Sequence, residues 1–208
     1  MEKHPVTVIV MATMMEAKPF VLGMALEEKQ KQPFRLFGKD TLVLAVSGIG
    51  KANAAMATAW CCERFTPVCV FNLGAAGASG PSHALGEIFH ISRIVEYDRP
   101  RLITGEPTVH RPRVLDGFPT ATLSTSDRAI LDPEERRAVS RIADLIDMEG
   151  AAVVQACDLF DTSCCVFKFI SDTPVHTEDE DVITNIRRYR TPFFEFFRRA
   201  VLSTSAGV

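Results

Sequence analysis

Residues 164–172 read Cys-Cys-Val-Phe-Lys-Phe-Ile-Ser-Asp, an almost unbroken apolar run that stops at an acid and is broken at once by Thr173 and Pro174. A strand of that composition has no polar face to offer water, so other elements must cover it on both sides. Residues 6–12 and 68–73 have the same character. Helical patterns separate these strands, and that alternation is the rhythm of an α/β protein: a three-layer α/β/α sandwich with a mixed central sheet.

The same reading sets out the remaining elements. A helix begins near Met15, two strands at 34–39 and 41–47 meet tightly at Gly38-Lys39-Asp40, and a helix spans 51–64. The strand at 68–73 ends in Gly74-Ala75-Ala76-Gly77-Ala78-Ser79-Gly80, where small residues let backbone approach a ligand closely. A long β pattern covers 87–97, whereas 98–119 is rich in Pro, Arg and Gly without any period and reads as a surface loop. A further strand at 121–124, a helix at 133–142 opened by Asp132 with Pro133 in its first turn, and a C-terminal helix at about 179–202 complete the order.

A chain of 208 residues with 47% hydrophobic content can bury one sizeable core, and a single domain over 1–208 is the expectation. Net charge of −3 and a pI near 6.0 leave no basic field for nucleic acid or an anionic membrane, so a small ligand is the expected partner. The six cysteines fall mostly inside apolar runs, and neither adjacent pair has the spacing of a zinc or redox site. They read as buried thiols in a reducing cytoplasm, with no metal and no cofactor expected. Glu2, Lys3, His4 and Pro5 precede an apolar run too brief to span a bilayer and lacking a cleavage pattern, so it reads as a first strand.

Two acids stand where strands run out. Residues 142–149 alternate apolar and acidic before Gly150 opens a helical pattern, and 164–172 stop at Asp172. Ligands of open α/β sheets sit beyond the carboxyl ends of strands, so Glu149 and Asp172 are expected to face one crevice. The structural alternative is that each caps the helix after it. Ser47-Gly48-Ile49-Gly50-Lys51 resembles half of a dinucleotide fingerprint or a degenerate phosphate loop, but lacks the third glycine of the one and the ending of the other. Gly74-Ala75-Ala76-Gly77 has no neighbouring cation for a phosphate, and contact with a neutral sugar or base suits it better.

Taken together, four blocks resemble the nucleoside phosphorylase superfamily, and within it the methylthioadenosine/S-adenosylhomocysteine nucleosidase branch with its relatives futalosine hydrolase and adenosylhopane nucleosidase. They are Met14-Met15-Glu16-Ala17, Ser47-Gly48-Ile49-Gly50-Lys51-Ala52-Asn53-Ala54-Ala55, Asn72-Leu73-Gly74-Ala75-Ala76-Gly77, and Asp147-Met148-Glu149-Gly150-Ala151-Ala152 with Ile170-Ser171-Asp172. The resemblance implies cleavage of a purine from ribose through an oxocarbenium-like sugar cation, which needs a proton on the leaving base and a nucleophile from the other face. By resemblance, Asp172 protonates the imidazole-ring nitrogen of the purine and Glu16 orients and deprotonates a water. Glu149 accepts hydrogen bonds from the ribose hydroxyls, Met148 packs on the ribose, and Ala75, Ala76, Gly77, Ala129, Ile130, Ser171 and Lys168 complete the substrate-binding set. Each acid needs its own protonation state, which burial and neighbours can supply. Taken alone, Glu16 is equally an ordinary first-turn acid favoured by the helix dipole.

Departures from the family pattern bear on reaction and substrate. Related phosphorylases carry an arginine two residues before the glycine turn, where this chain has Asn72, and residues 12–16 do not resemble their phosphate loop. Water is therefore the expected acceptor. Phosphorolysis with Arg99, Arg101, Arg111 or Arg113 as phosphate ligands is the alternative reaction, and a non-catalytic nucleoside-binding protein is the alternative class. Ala75 stands where nucleosidases have a serine that helps hold the water, Lys168 where they have an arginine, Ala129 where an aromatic ring stacks on the base, and Pro174 where alanine is usual. These changes weaken the case for methylthioadenosine itself and make a related nucleoside with a bulky 5′ substituent, such as futalosine or adenosylhopane, competitive with it. The resemblance also implies a homodimer whose partner completes the 5′ side of the pocket.

Overall fold

A computed structural model of the chain describes residues 5–176 and 178–202; Glu2, Lys3 and His4 lie outside them. The elements in chain order are β1 (Thr7–Met11), α1 (Met14–Gly23), β2 (Glu27–Gln30), β3 (Arg35–Lys39), β4 (Leu42–Val46), α2 (Lys51–Phe65), β5 (Cys69–Ala78), β6 (Ile88–Pro100), β7 (Pro107–His110), β8 (Thr120–Thr125), α3 (Pro133–Val139), β9 (Leu145–Asp147), α4 (Gly150–Leu159), β10 (Ser163–Asp172) and α5 (Asp179–Phe196). Phe197–Leu202 continues α5 as a wider π-helical turn.

The apolar strands carry two cores rather than one. Along β1, Val8 and Val10 enter one cluster while Ile9 and Met11 enter the other, as period-two alternation requires. β10 repeats this, with Cys164, Val166 and Ile170 on one side and Cys165, Phe167 and Phe169 on the other. Helices α2 and α4 close the first core through Ala54, Cys61, Cys62, Val153, Val154 and Cys157. The second is closed by α1 and α5, where Phe20 meets Phe193, Phe194 and Phe197 at ring-centroid distances of 5.9, 5.2 and 5.7 Å. That is the three-layer arrangement expected from the strand composition. Phe20 is fully buried, so truncating it to Ala costs about 3–5 kcal/mol by lost burial and the cavity left behind.

The sheet is mixed and runs β10-β6-β8-β9-β5-β1-β4-β3-β2, with β7 added to β6. β10 also pairs with β5, so five strands, β5, β10, β6, β8 and β9, close into a ring. β1, β5 and β10 lie parallel in register, which sends their carboxyl ends to the same edge.

Four expectations change. β5 does not end at Gly74 but continues to Ala78, pairing β10 as far as Gly77 and β9 at Gly77 and Ala78. Its small residues admit neighbouring side chains as well as any ligand: a Cβ at Gly74 would lie 2.8 Å from Glu16 Oε1, and one at Gly77 2.5 Å from Asp172 Oδ2. Second, the loop at 98–119 contains β7, formed by pairing with the long extension of β6. Third, β2 was not expected, because Glu27-Glu28-Lys29-Gln30 has no apolar face; it is a largely exposed edge strand held by β3. Helix α3 is also shorter than expected, ending at Val139.

Candidate active site

Helix α1 starts with a capping box. Thr13 Oγ1 accepts from Glu16 N at 3.3 Å, while Glu16 Oε2 accepts from Thr13 N at 3.2 Å and from Thr13 Oγ1 at 2.6 Å. The first-turn role that the sequence allowed for Glu16 is thus present, yet it engages chiefly one oxygen. Oε1 points the other way and accepts from Ala75 N at 2.9 Å, with Gly74 leaving the room for it. A carboxylate oxygen offers two lone-pair directions, so one of those on Oε1 stays open at the cavity wall.

Glu149 occupies the N-cap position of α4 without making a side-chain cap bond. Asp147 does that instead, its Oδ2 accepting from Gly150 N at 2.8 Å. Glu149 Oε1 accepts from Gly50 N at 2.8 Å, at the start of α2. Gly50 has φ +97°, a conformation that side chains rarely adopt, which explains a glycine there. Burial pushes the Glu149 carboxyl up to about 7; the charge of Asp147 adds to this, and Lys168 and the Gly50 N–H oppose it.

Asp172 does not cap a helix either. The register of β10 against β5 slips between Ile170 and Asp172, so that Asp172 stands opposite Gly77. Such a bulge breaks the alternation and re-aims the side chains beyond it. Asp172 Oδ1 accepts from Ser171 Oγ at 2.6 Å, and Oδ2 is held by the guanidinium of Arg136 from α3. Arg136 is 1% exposed, and its Nε and Nη1 donate to Ile130 O at 2.7 Å and Ala78 O at 2.9 Å.

One cavity of about 190 Å³ receives all three acids. Asp172 and Ser171, Glu16, Met148 and Glu149, Ala75, Ala76 and Gly77, and Ala129 and Ile130 all line it, as do Asp147, Arg136 and Ile49. Lys168 does not. It stands behind the acids, fully enclosed, with Nζ 2.8 Å from Asp147 Oδ2, so the expectation that it touches the substrate gives way to a role as buried counter-ion. Burial pulls its ammonium down, but Asp147, Glu149 and Glu16 outweigh this and hold it above its ordinary range.

The cations weighed for phosphate lie elsewhere. Lys51, next to Gly50, is engaged by Asp98 at 2.6 Å and Asp127 at 3.4 Å. Arg99, Arg101, Arg111 and Arg113 are exposed, and none lines the cavity. Two participants escaped the sequence reading. Arg136, within Glu134-Glu135-Arg136-Arg137, looks like ordinary surface charge on a short helix, and nothing local distinguishes it. Asp147 was visible as part of the Asp-Met-Glu block, but its hold on Lys168, Gly150 and, at 2.6 Å, Thr125 Oγ1 is a tertiary relation.

Comparison with known proteins fits this geometry. The model of the phosphorylase superfamily matches residues 29–139 and 114–202. The chain is 31% identical over 156 residues to a 5′-methylthioadenosine/S-adenosylhomocysteine nucleosidase of Anoxybacillus flavithermus, covering 63% of this chain and 67% of the relative. It is 25% identical over 162 residues to an aminodeoxyfutalosine nucleosidase of Campylobacter jejuni, covering 67% and 71%. Among solved structures, a Helicobacter pylori methylthioadenosine nucleosidase mutant with 5′-methylthioadenosine in its active site superposes with a TM-score of 0.85 at 17% identity, covering 99% of this chain and 100% of the other. A futalosine hydrolase mutant of the same organism gives 0.83 at 18% identity, with coverage of 99% and 100%. At those identities the likeness is one of fold.

Proposed function

The chain belongs to the phosphorylase superfamily, in its nucleosidase branch, and from that premise we propose that its cavity hydrolyses the N-glycosidic bond of a 5′-substituted purine nucleoside such as methylthioadenosine, S-adenosylhomocysteine, futalosine or adenosylhopane. The observation that carries the reading is the convergence of Glu16, Glu149 and Asp172, from three separate elements, on one cavity, each held by a different set of donors. Asp172 is the proton donor to the purine. Glu149 gathers the ribose hydroxyls and gains strength as positive charge builds on the sugar, with Met148 packed on the ring. Glu16 holds and deprotonates the attacking water at Oε1. The backbone of Ala75, Ala76 and Gly77 forms the floor, and Ala129 and Ile130 flank the base.

Water rather than phosphate is the acceptor. A dianion beside Glu16 would meet a carboxylate, and Lys168, the cation behind Gly74, is already paired with Asp147. The test measures free base and free sugar released from adenosine, inosine, methylthioadenosine and futalosine, with and without phosphate. Base release independent of phosphate is expected; ribose 1-phosphate among the products would sink the hydrolase reading.

The reading includes a single domain over 1–208, a homodimer and a reducing cytoplasm. Ile49, at the cavity rim, and Met56, on α2, are each 55% exposed and offer the apolar surface a partner would cover beside the pocket. Light scattering is expected to give a dimer, and a stable monomer at micromolar concentration would contradict it. The six cysteines are free, which suits a reducing compartment.

A further inference from the structure

We propose that Lys51 is a positioning residue of this site, clamping the start of α2 to the loop at 127–131 so that Gly50 keeps its N–H on Glu149 and the loop keeps its place in the cavity wall. The consequence for catalysis rests on the nucleosidase reading of the cavity. Lys51 is the one charged residue of the Ser47-Gly48-Ile49-Gly50-Lys51 turn, and its ammonium is committed to carboxylates.

The first residue of a helix is a poor place for a cation, because the helix dipole is positive there and favours acids. Helix α2 has no acid in its first turn and no side-chain cap at Gly50, so Lys51 gains nothing from its own helix. Its partners come from other elements. Nζ lies 2.6 Å from Asp98 Oδ1 on β6, 3.4 Å from Asp127 Oδ2 and 3.8 Å from Glu96 Oε2. Asp98 accepts from Asp127 N at 2.6 Å through its other oxygen, so one carboxylate ties both α2 and the loop to the sheet. Burial works against both charges, yet Asp98 and Asp127 hold Lys51 above its ordinary range, and Lys51 with the Asp127 N–H holds Asp98 below its own. The Lys51 side chain is 14% exposed, so this network is screened less than a pair on open surface.

Both ends of the clamp touch the cavity. Gly50, the residue before Lys51, donates to Glu149 Oε1 at 2.8 Å, the one hydrogen bond to that carboxyl among the described residues. Arg128, Ala129, Ile130 and Leu131, directly after Asp127, line the cavity. Gly50 has no side chain to confine its backbone at φ +97°, so the restraint on its N–H must come from its neighbours.

Two variants release the clamp from opposite sides, Lys51→Met and Asp98→Ala. In each, Glu149 is titrated by NMR of its carboxyl carbon, and kcat and KM are followed against pH on a nucleoside that the wild-type protein hydrolyses. Weakening a hydrogen bond to the ionised carboxyl is expected to raise the Glu149 midpoint by about one pH unit in both. Below that midpoint kcat/KM should fall about tenfold, with KM taking most of the loss, because a displaced wall weakens ground state and transition state alike. Lys51→Arg, which keeps the charge and a reach to both carboxylates, should restore wild-type behaviour, and the double variant should be no worse than either single one. Charge alone predicts a different pattern: loss of the cation raises the midpoint and loss of Asp98 lowers it. The charged groups facing Glu149, namely Glu16, Asp147, Asp172, Arg128, Arg136 and Asp179 in the cavity and Lys168 behind Asp147, are the same in both variants. Folding is checked by circular dichroism, and the Asp98 side chain, 31% exposed, keeps the test open should Lys51→Met not fold. Opposite shifts in the two variants, or no shift with unchanged KM, overturn the inference while leaving the nucleosidase reading intact. Matching upward shifts with no nucleoside hydrolysed by the wild-type protein would uphold the clamp and overturn the nucleosidase reading.

Discussion

Lys168 Nζ and Asp147 Oδ2 lie 2.8 Å apart with side chains only 2% and 1% exposed, a buried ion pair whose aspartate stands in the wall of the cavity. Both partners stand on strands, β10 and β9, that contribute an acid to the site within two residues of their ends. The pair thus links the two strands beside the site. With Lys168 balancing Asp147, the charge of Glu149 is only partly compensated.

Removing one member leaves the other as an uncompensated buried charge, which costs about 3–5 kcal/mol. Lys168→Met is expected to lower stability by that amount in urea denaturation, and Asp147→Asn in the same background should recover part of it. Additive losses in the double variant would show that the two side chains do not act as a pair.

The glycines of β5 give a different test. Gly77→Ala would set a methyl carbon 2.5 Å from Asp172 Oδ2 and 3.2 Å from Arg136 Nη2, and Gly74→Ala one 2.8 Å from Glu16 Oε1. Both acids must then shift by a good fraction of an ångström, and misplacement of about 1 Å can cost about a hundredfold in rate. Each variant should fold, by circular dichroism, and lose most of kcat. Unchanged turnover in Gly77→Ala would mean that the placement of Asp172 does not limit the reaction.

Glu149 predicts opposite trends for activity and stability over one pH window. In its proposed role, only the ionised form offers both oxygens to ribose hydroxyls, so kcat/KM should rise about tenfold per pH unit towards a plateau above about 7. The native state holds the Glu149 proton more tightly than the unfolded chain, whose value is 4.5. Its contribution to stability is therefore full below 4.5 and is lost as pH rises to about 7, a change on the order of 3 kcal/mol. Glu149→Gln should flatten both curves; survival of the rate limb in that variant would assign it to another group.

How much of this was legible beforehand depended on the range of the interaction. Strands such as β1 and β10 announce themselves because burial on both faces demands continuous apolar sequence. Glu16, Glu149 and Asp172 could be singled out because block order survives in the linear chain, although the cap bond at α4 comes from Asp147, two residues upstream of Glu149. Strands β2 and β7 were missed because pairing with a neighbour, rather than their own pattern, creates them. Arg136 was missed for a similar reason: its burial is made by α3 folding over Ile130, Ala78 and Asp172, and in sequence it is one charge among four. Lys168 was noticed but assigned to the substrate, since strand parity does not say that Asp147 will come between.

The division of labour proposed for the acids can be tested by single substitutions at each. Asp172→Asn keeps the shape of the side chain but removes the proton donor, a change worth about a hundred- to ten-thousandfold in turnover, while nucleoside binding should survive. It also leaves Arg136 without its carboxylate, so a stability loss is expected alongside, and turnover must be measured on protein shown to be folded. Glu16→Gln should lower kcat comparably with little change in binding, because its free lone pair serves the water and its remaining contacts, to Thr13 and Ala75, serve the backbone. Glu149→Gln should weaken ribose binding and rate together, since its contacts exist in the ground state and tighten on the way to the cation. Wild-type turnover by folded Asp172→Asn on a confirmed substrate would refute this assignment, and the proton would have to reach the purine by another route.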